Sequence, residues 1–480
     1  MTVRTRWASI PPSVRWGTVG NLVLFGAVAG INAVVLPWIG ASDSQYHLRY
    51  AESVYNGELP AGSSTVAAHP PLYYAIIAGL VGQFLSADAI PISAAIVRSL
   101  NILFGCGLVV VLAWTGWNLV STRKAQFAIA LPGLSVLITP FVRVAGDVYN
   151  DSLATLLATS ALALSIVILK RGPRPTTLVL LGVVSVLGMS ARSTFVVTFG
   201  LAMIAIVVAF VIHGTGTRVR RALRGAGVAA AISLVVLVAI GWFYARNYEL
   251  SGSWFRSRPQ SPFAGREYTS LGENLVDPDF YFVTVTRLLG FRDWQGFLPI
   301  NGFVSSAIVI VCVVGCAWWF GSSSRWRRVL SSVASRVIVA LFVVQGIGLY
   351  AMQLQHATGW GNINLRYFLP GLMLFGVILA TGSLAWPRLR GQLAVVIMAL
   401  LALGAIGDIV WFAAPMYKKI SIENPIAFLP TALANNAIPF AIVPVLGVAV
   451  IAGLAVVSVA LLAATRPEHL DTLQEGKAVG

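Results

Sequence analysis

The chain has 480 residues, of which 57% are hydrophobic and only 10% charged, with a mean hydropathy of +0.82. Soluble domains carry about 25% charged residues, so this composition excludes folding in water and specifies a multi-pass membrane protein. The net charge of +16 does not mark a nucleic-acid binder, because most basic residues stand in loops between apolar runs, where they report membrane orientation.

Arg4, Arg6 and Arg15 precede an apolar run from Trp16 to Gly40. It is too long for a signal-peptide core and lacks an A-x-A closing pattern, so it reads as a retained first span. A spanning helix needs about 20 mostly apolar residues. Twelve are expected, at roughly 17–40, 95–119, 126–145, 152–169, 176–190, 194–213, 226–245, 299–320, 337–353, 367–385, 393–413 and 437–465. Alternate connections carry Arg123 and Lys124; Lys170, Arg171 and Arg174; Arg218, Arg220, Arg221 and Arg224; Arg325, Arg327, Arg328 and Arg336; Arg388 and Arg390. These short basic loops are expected on the cytoplasmic side, with both termini there. Of the 17 Asp and Glu residues, only Glu468, Asp471 and Glu475 fall on that side. Asp408 stands inside the eleventh span, where an acid normally has a partner. The outer segments 41–94 and 246–298 are long, which makes the outer face the expected working face.

The first outer segment opens with SDSQYHLRYAESVYNGELP. Tyr46, Tyr50 and Val54 recur every four residues, a helical face too polar to span. A second surface helix is expected from HPPLYY at His69, with two prolines in its opening turn. Asp43 begins the first of these helices, either as an N-cap or as a catalytic base. Asn150-Asp151 offers the same choice at the fourth span. Cys106, Cys312 and Cys316 lie in apolar runs and read as packing residues. No internal repeat of broken helices, the mark of a transporter, is seen.

Four elements then resemble a known group. They are Asp43 followed by YHLRYAESVYNGELP and HPPLYY; FVRVAGDVYNDSLATL (Phe141–Leu156); WFYARNYELSGSW (Trp242–Trp254); and NLRYFLPGLMLF (Asn364–Phe375). In this order they resemble the GT-C type membrane glycosyltransferases, nearest the protein O-mannosyltransferase and aminoarabinose-transferase branch. The resemblance implies an all-α transmembrane bundle of about 12 spans with juxtamembrane helices in the first outer loop. It divides the chain into a catalytic module over 1–385, C-terminal spans over 386–465 and a polar tail over 466–480. It departs from many relatives at Ser44 and Gln45, where those carry an acid, and no D-x-D occurs in the first loop. No cofactor is therefore expected, and a divalent metal stays open without a D-x-D in the first outer loop to support it.

The resemblance also implies a donor sugar on a polyprenyl phosphate, moved to a hydroxyl of an envelope glycan, lipid or protein. Outer-side cations fit a lipid phosphate, and nearly all are arginine, which binds phosphate in two-pronged fashion. Arg366 leads as the donor-phosphate ligand, followed by Arg192, Arg98 and Arg246. Asp43 is the expected base, with Asp151 second. His47, His69, Tyr46, Asn150, Trp294 and Trp360 are expected to line the substrate. The alanine- and valine-rich basic composition points to a bacterial cytoplasmic membrane. Two other readings stay open: a transporter or flippase for a lipid-linked precursor, and a non-catalytic envelope-assembly scaffold.

Overall fold

The computed structural model describes residues 10–38, 43–60, 62, 64, 66–85, 90–256, 269–278, 280, 281, 284, 289, 300–321, 330–360, 363–389, 391–417 and 426–465. The described residues form helices and no strand. In chain order they are α1 (Pro12–Val35), α2 (Ser44–Tyr55), α3 (Leu72–Val81), α4 (Ile90–Leu119), α5 (Lys124–Val136), α6 (Thr139–Ala145), α7 (Asp151–Arg171), α8 (Pro175–Ala191) and α9 (Phe195–His213). Then follow α10 (Arg218–Ser251), α11 (Leu271–Val276), α12 (Ile300–Gly321), α13 (Val333–Trp360), a 3₁₀ turn (Leu365–Gly371), α14 (Leu372–Leu384), α15 (Gln392–Met416), α16 (Leu429–Asn435) and α17 (Ile442–Ala463).

Ten of the described helical segments are long and apolar enough to cross a membrane. The pair α5 and α6, bent by 71°, passes the same test when taken together as one broken segment. The bend has an identifiable cause: Pro140 opens α6 in its first turn, a position proline favours and a helix interior does not. The twelfth expected span is α8, apolar but only 17 residues long. All twelve expected windows thus coincide with one of these elements. Exposed apolar side chains such as Leu234, Leu237 and Val238 on α10 form a surface suited to lipid and not to water.

Two devices pack α1. Asn21 and Asn32 reach α5 and α6: Asn21 Nδ2 donates to the Ile129 carbonyl at 2.8 Å. Asn32 Nδ2 donates to the carbonyls of Val142 at 3.2 Å and Arg143 at 2.7 Å, at the end of α6, where the Val142 carbonyl also accepts the Gly146 N–H at 3.1 Å. On its other side α1 packs on α17. A Cβ on Gly453 would lie 2.7 Å from the Leu24 nitrogen, and one on Gly20 would lie 3.0 Å from the Val457 nitrogen. Only glycine allows so close a backbone approach, the usual solution where lipid supplies no hydrophobic drive.

The two surface helices exist as expected. α2 begins after Asp43, and α3 begins one residue after Pro71. They pack on each other, and α3 also meets α4 and α8. The working end is built from the C-terminal ends of α1, α8 and α13 and the N-terminal ends of α4 and α7.

Candidate active site

Asp43 occupies the N-cap position of α2, yet its side chain makes no capping bond. Instead Oδ2 accepts from Nη2 of Arg366 at 3.0 Å. Arg366 is the second residue of the 3₁₀ turn, and Asn364, at the N-cap, sets its aim. Asn364 Oδ1 accepts from the Arg366 backbone N–H at 3.2 Å and from its Nε at 3.3 Å. The guanidinium lies 4.8 Å above the Tyr149 ring, a cation–π arrangement. The Tyr149 hydroxyl accepts the Asp43 backbone N–H at 3.0 Å, so one tyrosine braces both partners. Their side chains are 35% (Asp43) and 22% (Arg366) exposed. Both partners of this pair are open to solvent.

Two further Asp–Arg pairs stand at the same end and are sealed. Arg192 Nη1 lies 2.8 Å from Asp151 Oδ2, with side-chain exposures of 6% and 1%. The same Nη1 donates to Asn150 Oδ1 at 2.8 Å, and Asn150 Nδ2 donates to the Ala191 carbonyl at 3.0 Å. The start of α7 is thereby locked to the end of α8. Asn150-Asp151 does begin a helix, but Asn150 makes no side-chain cap; Asp151 complements the helix dipole from its first turn. The third pair is Arg98 with Asp147 at 3.5 Å. Asp147 Oδ1 also accepts from the Ser44 hydroxyl and the Val148 N–H, both at 2.8 Å. Burial pushes the Asp147 carboxyl up, against the pull of Arg98 and these hydrogen bonds.

The two histidines share one hydroxyl. His47 Nδ1 is 2.8 Å and His69 Nδ1 is 3.0 Å from the Tyr74 hydroxyl. A hydroxyl has one proton to give, so with both rings neutral one imidazole accepts from Tyr74 and the other donates to it. Tyr50 stacks on Tyr74 with ring centroids 3.7 Å apart and donates to the His69 carbonyl at 2.9 Å. Burial pushes His47 down to about 3; Arg366 and Arg192 lower it further, and Asp43 opposes them. His69 is lowered as well, chiefly by burial and then by Arg192. Both rings are therefore neutral at physiological pH. His47 Nε2 is buried without a hydrogen-bond partner.

The site residues expected from sequence thus separate. Asp43, Arg366, Asp151, Arg192, Asn150, His47 and His69 converge on this end, and Tyr46 stands half-buried on α2. Arg98 requires a correction as a phosphate ligand. Its Nη1 donates to the Ala33 and Leu36 carbonyls at 2.9 Å and its Nη2 to the Pro37 carbonyl at 3.0 Å, so it ties off the end of α1. Arg246 requires a similar one. Its Nη2 donates to the Pro60 carbonyl at 2.6 Å and its Nη1 lies 3.5 Å from the Ala67 carbonyl, which anchors the first outer segment to α10. Trp294 and the side chain of Trp360 lie outside the described residues. Sequence reasoning passed over Asp147, Tyr149, Asn364 and Tyr74, although all four sit within the elements that carry the family resemblance. It also passed over Asn101, whose Nδ2 holds the 147–149 turn through the Asp147 and Tyr149 carbonyls at 2.6 and 3.1 Å. Among the described residues no group of three His, Cys, Asp or Glu side chains is arranged to hold a metal ion.

No family model and no curated protein matches the sequence. Among solved structures, the chain is similar to the oligosaccharyltransferase of Archaeoglobus fulgidus in complex with zinc and sulfate. That match has a TM-score of 0.50 at 15% identity over 86% of this chain and 57% of that one. It is also similar to ArnT from Cupriavidus metallidurans bound to undecaprenyl phosphate, with a TM-score of 0.49 at 13% identity over 93% of this chain and 75% of that one. The chain therefore spans a little over half the length of the archaeal enzyme. At such identities the likeness establishes the architecture alone: the chain has the fold of the GT-C type membrane glycosyltransferases.

Proposed function

We propose that the protein transfers a sugar from a polyprenyl-phosphate carrier to an acceptor hydroxyl on the outer face of the cytoplasmic membrane. The observation that carries this reading is the accessible Asp43–Arg366 pair at 3.0 Å, with its partners aimed by Asn364 and Tyr149. The GT-C fold and the sequence elements around both residues support it. Outer-face orientation is supported by the acid-free basic loops at the opposite end of the bundle.

In this mechanism Arg366 exchanges partners. In the resting state it neutralises Asp43. An arriving lipid phosphate takes over the guanidinium through charge-assisted hydrogen bonds, which frees the Asp43 carboxylate to accept a proton. The acceptor hydroxyl gives its proton to Asp43 while its oxygen attacks the anomeric carbon. The bond from that carbon to the phosphate oxygen breaks, and the carrier leaves as polyprenyl phosphate with its added charge held by Arg366. The configuration at the anomeric carbon inverts. Asp151 and Arg192 lie behind this pair and hold the turn that carries Tyr149. In this proposal the arginine carries the leaving-group charge and no metal ion is called on.

The test is turnover in lipid nanodiscs. Wild type and Asp43→Asn meet a panel of polyprenyl-phosphate monosaccharides together with candidate glycan, lipid and peptide acceptors, and mass spectrometry follows free polyprenyl phosphate. Release from one donor, lost in Asp43→Asn, supports the reading and names the sugar. Equal release by the variant would remove Asp43 as the base. No binding or release with any donor favours a transporter or a scaffold.

A further inference from the structure

At the opposite end of the bundle, a cavity of about 480 Å³ opens between the ends of α4, α7, α12 and α14 and the starts of α5 and α13. Its walls are largely apolar, with Phe127, Ile338, Phe342 and Val377 among them. A second cavity of about 220 Å³ adjoins it through Val120, Ser121 and Lys170, and is lined further by Trp117, Lys124 and Arg171. Along α7, Lys170 stands 19 residues from Asp151, about 28 Å at 1.5 Å per residue. This place is therefore separate from the Asp43–Arg366 site.

Lys124, Lys170 and Arg171, which line the second cavity, have neutral partners. Lys170 Nζ donates to the Asn118 and Leu119 carbonyls, and Arg171 to Asn118 Oδ1. Lys124 Nζ lies 5.9 Å from the Trp117 ring, and Arg123 donates to the Leu384 carbonyl. Among the described residues Lys124, Lys170 and Arg171 meet no carboxylate. The sequence holds no Asp or Glu between Asp88 and Asp147, between Asp151 and Glu249, or between Asp293 and Asp408. Trp117 and Trp319 line the two cavities, as befits the depth of lipid headgroups. An apolar chamber joined to a cationic one, at that depth, matches an amphiphile with one negative head. Basic pockets between spanning helices take anionic headgroups in this way.

We propose that the paired cavities bind one anionic phospholipid from the adjoining leaflet. Its phosphate sits among Lys124, Lys170 and Arg171, and an acyl chain enters the chamber beside Val377 and Thr381.

The full chain is exchanged into nanodiscs of phosphatidylcholine doped with phosphatidylglycerol, then released for native mass spectrometry to identify retained lipid. The expected result is one phosphatidylglycerol held per chain in preference to phosphatidylcholine. Lys124→Gln with Arg171→Gln lowers that retention about thirtyfold, taking about 1 kcal/mol per basic residue. Thr381→Trp fills the apolar chamber and lowers retention with every charge intact; Val377→Trp serves if that variant fails to fold. Equal retention of the two lipids overturns the proposal. So does displacement by inorganic phosphate alone, which would reduce the site to an anion pocket. Increased lipid retention after joint Glu468→Gln, Asp471→Asn and Glu475→Gln would assign the cations to the chain's own acidic tail instead.

Discussion

Three aspartate–arginine pairs stand at one end of the bundle, and burial is what separates them. Asp151–Arg192 and Asp147–Arg98 are sealed to a few per cent of exposure, whereas Asp43 and Arg366 are 35% and 22% exposed. A sealed pair cannot change partners without leaving a bare charge in a medium of low polarity, so it serves as a fixed joint. Here the joints lock α7 to α8 and the 147–149 turn to the end of α1. An exposed pair has water to cover the exchange and can open toward a ligand. The same two side chains act as a rivet in one place and as a switchable contact a short distance away.

The comparison breaks first, and hardest, at the base. Asp43→Asn should lower turnover by on the order of 10²–10⁴-fold, the usual contribution of a general base, while the melting temperature in detergent stays near that of wild type. A variant that melts early and transfers normally would reverse the roles assigned to the accessible and sealed pairs. Asp151→Asn should do the opposite. It leaves Arg192 charged and sealed, and the cost is about 3–5 kcal/mol of stability, visible as a lowered melting temperature without any substrate present. Arg366→Gln removes a charge-assisted contact worth about 1.5–3 kcal/mol. Donor affinity measured by titration should fall by about 10- to 150-fold, and Asn364→Ala should give part of the same loss by freeing the guanidinium.

A separate effect is on pH. His47 is pushed down to about 3 from an ordinary value of 6.5, so between those values the unfolded chain binds more protons than the folded one. Stability is then fully present above pH 6.5 and declines as pH falls toward 3, by up to about 1.4 kcal/mol per unit. His47→Gln should flatten that slope in a melting series from pH 7 to 4. A slope unchanged in the variant assigns the acid sensitivity elsewhere, with His69 the next ring to replace.

The spans were legible because each is an apolar run of helical length, and basic loops alternate between them. The surface helices were legible from the four-residue recurrence of Tyr46, Tyr50 and Val54. Asp43 and Arg366 could be chosen one by one, from their outer position and the elements around them. Their pairing could not, since 323 residues separate them and local pattern carries no information at that range. An outer-side arginine also reads the same whether it faces a ligand or backbone carbonyls, which is why Arg98 and Arg246 were over-read. Asp147 was passed over for the converse reason. Its burial depends on Ser44, Arg98 and Asn101, brought from two other segments, and nothing within AGDVYND announces it.

The seam of Gly20 and Gly453 has a consequence in time. The first span meets α17 last: about 400 residues of chain lie between Val35 and Ile442. At 5–20 residues per second, that is roughly 20–80 s of synthesis. The partners of Asn21 and Asn32 on α5 and α6 are made early in that interval, so the polar side of α1 can dock while its glycine side still faces lipid. α17 is the last of the described helices to be made, long after both Asp43 and Arg366. A chain stopped short of α17 should therefore carry an assembled Asp43–Arg366 pair on a bundle whose first span is still half unsheathed.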